Sequence, residues 1–174
     1  MFCQPAEQAL APVSRSADWS TMNPRMTSPA FTPVDDDLYR EIILDHYRDP
    51  RHKQTVTPAD RVVEANNPLC GDEIDLSLRF ADDRVEAVGF EGRGCSISQA
   101  SASMLCEAVS GMSQADAAEL GRAFRALMRG NDVTRDLGDL EALRGVRAYP
   151  VRVKCATLAW SALLQALGQE DGDE

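Results

Sequence analysis

Ile74-Asp75-Leu76-Ser77-Leu78-Arg79-Phe80 and, beyond Asp82-Asp83, Val85-Glu86-Ala87-Val88-Gly89-Phe90 decide the fold of this chain. Ile74, Leu76, Leu78 and Phe80 alternate with Asp75, Ser77 and Arg79. Neighbouring side chains on a strand point to opposite faces, so the pattern predicts a strand with one buried face. Asp82-Asp83 predicts a turn, and Val85 to Phe90 returns as the hairpin partner. Upstream, Val62 and Val63 predict a short strand. Before that, Asp35 and Asp36 suit the start of a helix with Leu38, Ile42, Ile43 and Tyr47 on one side, stopped by Pro50. After Cys95 the period becomes helical. Ile97 to Val109 predicts a helix ending at Gly111. Ser113 suits the cap of the next, with Asp116 placed for a capping-box contact. Its apolar stripe is Ala117, Leu120, Phe124, Leu127 and Met128, closed by Gly130. A polar stretch with a short helix near Leu140 follows, and Gly145 and Pro150 break the chain. The last helix carries Trp160, Leu163, Leu164 and Leu167 at helical spacing, with Gly168 as its stop. The class is therefore α+β, a small antiparallel sheet covered by helices.

The 174 residues suit one domain, and an apolar fraction of 44% supplies a core without disulfide staples. A net charge of −10 argues against nucleic acid as a partner, because phosphate binding wants a basic face. No apolar run reaches the roughly 18 residues of a membrane helix. The start of the chain lacks the apolar core of a secretory signal, so a cytoplasmic location is expected. Residues 1–34 hold five of the nine prolines and no glycine, and are expected to be disordered. Met26 is a candidate start, although Arg15, Arg25 and several serines also fit a transit peptide. The folded domain is expected over 35–168, with an acidic tail at 169–174.

Five cysteines in a reducing compartment favour metal binding or reactive thiols over a disulfide framework. Cys70 and Asp72 flank Gly71, a short ligand pair on a tight turn. Cys95 follows Gly92-Arg93-Gly94 and precedes a predicted helix, whose N-terminus lowers a thiol's pKa. Cys155 is expected to open the last helix. Thiolates and a carboxylate suit a tetrahedral zinc ion, and a thiolate also attacks sulfur. Cys106 lies mid-helix beside Leu105 and reads as core. Cys3 falls in the expected disordered segment. His46 and His52, near the end of the first helix, read as structural hydrogen-bonding residues rather than ligands.

Four stretches carry a resemblance. They are Leu38 to Tyr47, Asn66-Asn67-Pro68-Leu69-Cys70-Gly71-Asp72, Gly92-Arg93-Gly94-Cys95-Ser96-Ile97-Ser98-Gln99-Ala100-Ser101, and Lys154-Cys155-Ala156-Thr157-Leu158-Ala159-Trp160. They resemble the SufU family of iron–sulfur cluster biogenesis, within the IscU-like superfamily, over about 35–168. The long stretch between Cys95 and Cys155 is SufU-like. So is Lys154, where the IscU scaffolds usually carry a histidine. The resemblance implies an IscU-like fold with a three-stranded sheet, and one zinc ion on Cys70, Asp72, Cys95 and Cys155. It implies a sulfurtransferase that works with a SufS-type cysteine desulfurase rather than as a stand-alone enzyme. Cys70 would be the persulfide acceptor, a histidine of the desulfurase would replace it on the metal, and the sulfur would pass toward a downstream cluster scaffold of the Suf system. Arg152 and Lys154 are candidates to guide the persulfide or touch the partner. Two alternatives stay open: a scaffold assembling an iron–sulfur cluster on the same thiols, and a purely structural zinc module.

Overall fold

The computed structural model describes residues 33–169, with side chains from Asp37 onward. The expectations for 1–32 and 170–174, and the capping role expected of Asp35 and Asp36, lie outside the described residues or side chains. Helix α1 (Pro33–Arg48) begins two residues before Asp35. The strands follow as β1 (Arg61–Asn67), β2 (Asp72–Ala81) and β3 (Arg84–Arg93). Then come α2 (Ser96–Val109), α3 (Gln114–Met128), a 3-10 segment (Gly138–Ala148) and α4 (Pro150–Ala166). The sheet has the order β1-β2-β3 and is antiparallel throughout. The expected α+β class with a three-stranded sheet is the observed one.

β2 is the centre of the sheet, and its alternation works as expected on one face: Ile74, Leu76 and Leu78 are fully buried. Val85, Val88 and Phe90 extend that surface from β3. At about 1.5–3 kcal/mol for each such side chain taken from water, this face drives the packing of helices onto the sheet. Ser77, expected on the solvent side, is buried instead. The segment after α1 crosses that face: Val56 N–H donates to Ser77 Oγ (2.9 Å), Ser77 Oγ–H donates to the Gly89 carbonyl (3.1 Å), and Phe90 N–H donates to the His52 carbonyl (3.0 Å). The alternation could not reveal this cover, because a serine tolerates both environments once its hydroxyl is paired.

α2 and α4 form the helical layer next to the sheet and pack on each other. α2 is buried on most sides, through Ile97, Ala100, Met104, Leu105, Cys106 and Val109. Its buried serines are paired. Trp160 Nε1–H donates to Ser101 Oγ (3.0 Å), and Ser101 donates to the Ala156 carbonyl (2.6 Å). Trp160 also stacks on Phe124 of α3 at 4.6 Å between ring centroids. Ser113 caps α3 as expected, its Oγ accepting from Asp116 N–H at 3.0 Å.

α1 packs with a different stripe from the one the spacing suggested. Leu38 and Tyr47 are exposed, whereas Ile42 and Ile43 lie against the core and His46 is buried. His46 Nδ1 lies 2.9 Å from Ser103 Oγ, which also accepts Arg51 N–H at 2.8 Å. The histidine is thus a helix-to-helix hydrogen-bonding residue, as its position near the end of the helix suggested. Pro150, read as a break, is the first residue of α4. A proline is well placed there, since a first-turn N–H has no partner inside the helix to lose.

Candidate metal centre

β1 ends at Asn67 and β2 begins at Asp72, and the two are directly opposed in the ladder. The four residues between them form the turn that carries Cys70. The Asn67 carbonyl accepts from Cys70 N–H (3.2 Å) and Gly71 N–H (2.8 Å), and its side-chain Oδ1 accepts from Leu69 N–H (3.2 Å). Gly71 holds φ +70°, a left-handed conformation that side chains resist. The turn leaves Cys70 exposed and sends Asp72 inward, where 1% of its surface meets solvent.

β3 delivers the next sulfur. Cys95 is the N-cap residue of α2, and its N–H donates to Asp72 Oδ1 at 2.9 Å. Its Sγ lies 3.7 Å from Asp72 Oδ2. The carboxylate thus sits at a helix N-terminus, which favours negative charge. Gly94 makes this approach possible: a Cβ there would lie 2.7 Å from Asp72 Oδ1.

Cys155 comes from α4. It stands in the second turn of that helix, not at its start, because Pro150 begins the helix earlier than expected. Packing of α4 on β1 brings its Sγ to 3.2 Å from Cys70 Sγ and 3.6 Å from Asn67 Nδ2. Cys155 is 2% exposed. Ligand atoms of Cys70, Asp72 and Cys155 all lie within 4.8 Å of one another. Cys95 stands outside this mutual triad and joins it through Asp72.

Burial pushes the Cys155 thiol well above its ordinary range, and its hydrogen bonds with Asp72 and Cys70 act in the same direction. Asp72 is a buried carboxylate, and among the described residues no lysine, arginine or histidine forms an ion pair with it. A buried charge without a counter-charge is costly. A divalent cation among these side chains would supply that charge and reverse the preference of the Cys155 thiol for its neutral form. Three thiols and one carboxylate are a donor set that suits zinc. The residues present therefore fit the metal.

The site opens to solvent through a cleft of about 460 Å³ lined by Cys70, Cys95, Cys155, Tyr149, Val151 and Arg152, among others. Tyr149 and Val151 are exposed apolar residues lining it, and Leu69, next to Cys70 in the turn, is exposed as well. Arg152 is exposed, with its guanidinium 5.8 Å from the Tyr149 ring centroid. Lys154 is exposed but does not line the cleft. Cys106 is fully buried in the core, and burial pushes its thiol far up, consistent with an inert role. The residue that sequence reasoning passed over is Asn67. An asparagine before proline at the end of a strand was a signal for a side chain that organises the turn.

Comparison with known proteins places the chain in a family. The family model of the NifU-like N-terminal domain matches residues 38–169. The zinc-dependent sulfurtransferase SufU of Bacillus subtilis (strain 168) is 47% identical over 139 residues, covering 79% of this chain and 94% of the relative. The iron–sulfur cluster assembly scaffold protein IscU of Streptococcus pyogenes serotype M1 is 41% identical over 132 residues, covering 75% and 82%. The crystal structure of FiSufU from thermophilic Fervidobacterium islandicum AW-1 superposes with a TM-score of 0.71 at 34% identity, covering 73% of this chain and 94% of that one. The chain belongs to the NifU-like N-terminal domain family and, within it, to the SufU group.

Proposed function

We propose that this protein serves iron–sulfur cluster assembly as a zinc-dependent sulfur carrier that accepts sulfur from a SufS-type cysteine desulfurase in the cytoplasm. The single observation that carries the reading is the unequal setting of two neighbouring sulfurs. Cys70 is exposed on a turn, and Cys155 is buried on a helix 3.2 Å away. The proposed ligands are Cys70, Asp72, Cys95 and Cys155. When bound, zinc would supply the positive charge that keeps these cysteines deprotonated near neutral pH.

The chain's own residues then divide the work. Cys155 and Asp72 are fixed, one by α4 and the other by β2 and the Cys95 N–H. Cys70 is the thiolate that a partner's persulfide can reach through the cleft. Its sulfur attacks the outer sulfur of the partner's R–S–S–H, the partner's S–S bond breaks, and the partner's thiolate leaves. The product is Cys70–S–S–H, with no net change of oxidation state. Leu69, Tyr149 and Val151 offer apolar contacts to the partner, and Arg152 offers a positive charge to an anionic persulfide. Lys154, on the same helix but outside the cleft, is assigned to partner contact alone. The sulfur then passes toward a downstream scaffold of the Suf system.

The test mixes the purified protein with a SufS-type desulfurase, cysteine and reductant, and measures sulfide. Wild type should raise output, and Cys70→Ala should not; equal stimulation by both would refute the acceptor role. The scaffold reading is favoured by the naming of the Streptococcus pyogenes relative. A stable iron–sulfur cluster on zinc-free protein, transferable to an apo-acceptor, would decide for it.

A further inference from the structure

Asn67 touches three parts of the centre at once. Its backbone carbonyl accepts from Cys70 N–H and Gly71 N–H, and its Oδ1 accepts from Leu69 N–H. Its Nδ2 donates to Cys155 Sγ at 3.6 Å, and it stands across the ladder from Asp72. The side chain is 5% exposed. A carboxamide offers an acceptor at one terminal atom and donors at the other, and this site uses both. Aspartate has the same shape but would turn a lone pair toward the sulfur. Serine can still accept within the turn but is too short to reach Cys155.

We propose that Asn67 is the positioning residue of the centre: it holds Cys155 Sγ in place while shaping the turn from which Cys70 moves. This rests on the zinc reading above. When Cys70 swings away, Cys155 loses its 3.2 Å neighbour. Asn67 Nδ2 and Asp72 then remain beside its sulfur, with the Val151 carbonyl more distant at 3.8 Å. Asn67 then keeps the second sulfur aligned with Asp72. It also makes the two halves of the site interdependent, because one side chain bonds to both.

The experiment uses the full chain as wild type, Asn67→Asp and Asn67→Ser. Zinc affinity is read by competition with a chromophoric chelator, and the cobalt(II)-loaded proteins are read by absorption. Outer partners of metal ligands typically change affinity by about 10- to 100-fold, and a loss in that range is expected for both variants. Loss of an N–H donor to a thiolate raises the energy of the sulfur electrons, so the sulfur-to-cobalt charge-transfer band should move to longer wavelength. A purely structural asparagine would not move that band. Melting of the metal-free proteins shows whether Asn67→Ser folds normally if Asn67→Asp does not. Wild-type affinity and band position in Asn67→Ser would overturn the proposal. Absence of thiolate charge-transfer bands in wild type would overturn the metal reading itself, and this inference with it.

Discussion

Gly94→Ala is the sharpest steric probe of the centre. Gly94 is not among the positive-φ residues, so alanine is compatible with its backbone. The added methyl would lie 2.7 Å from Asp72 Oδ1 and 2.9 Å from its Cγ, and would overlap Ser98 Oγ. A relaxed contact needs about 3.4 Å or more, so the carboxylate must retreat by several tenths of an ångström. Asp72 cannot retreat freely, because it is the first residue of β2, is buried, and holds Cys95 N–H. Overpacking of this kind costs about 1–3 kcal/mol, against about 0.4–1 kcal/mol gained from the less flexible unfolded chain. The net is a destabilisation of roughly 1–2 kcal/mol, measured by urea unfolding of metal-free protein. Zinc affinity, measured by chelator competition, should fall by about 10-fold or more if Asp72 is the ligand proposed, because the substitution displaces it. Gly94→Ala/Ser98→Ala removes the overlap with the serine and leaves the one with Asp72. If that double variant recovers wild-type affinity, Asp72 is not the group being displaced and the reasoning is refuted.

Two further outcomes follow from the core. Burial holds the pKa of His46 below its usual 6.5 and nearby Arg51 pushes the same way, while Glu107, Asp139 and Asp45 oppose them. The folded state therefore binds fewer protons than the unfolded chain below pH 6.5; the stability this contributes is full above that pH and declines as pH falls. The slope is at most about 1.4 kcal/mol per pH unit for one proton, and His46→Gln should flatten the urea-derived stability curve between pH 5 and 7 relative to wild type, both with metal chelated. Phe124→Ala removes a fully buried ring stacked on Trp160 and should cost about 3–5 kcal/mol in urea unfolding. A cost below 1 kcal/mol would contradict the packing described.

The hairpin, α2, α3 and the end of α4 were legible because each carries its own punctuation: period-2 alternation, the Ser113 cap, and Gly111, Gly130 and Gly168 just past helix ends. What escaped was set by tertiary partners. Ser77 reads as a surface residue until the 52–56 segment covers it. The buried side of α1 is decided by Ser103, which accepts the Arg51 N–H and pairs with His46, rather than by Leu38 and Tyr47. The start of α4 was misplaced because Pro150 breaks a helix from within but favours one from its first turn, and nothing local says which. At the centre, the thiols and Asp72 were visible as residue types at element boundaries. The contact between Cys70 and Cys155, 85 positions apart in sequence, depends on α4 docking on β1. Asn67 stayed hidden for the same reason, since its partner sulfur arrives from that helix.

The most direct test is X-ray absorption at the zinc edge on protein as purified, with metal content measured in parallel. One zinc per chain, with three sulfurs at about 2.3 Å and one oxygen at about 2.0–2.2 Å, is the predicted result. A shell of two sulfurs with histidine scattering, four sulfurs, or no stoichiometric zinc would contradict it.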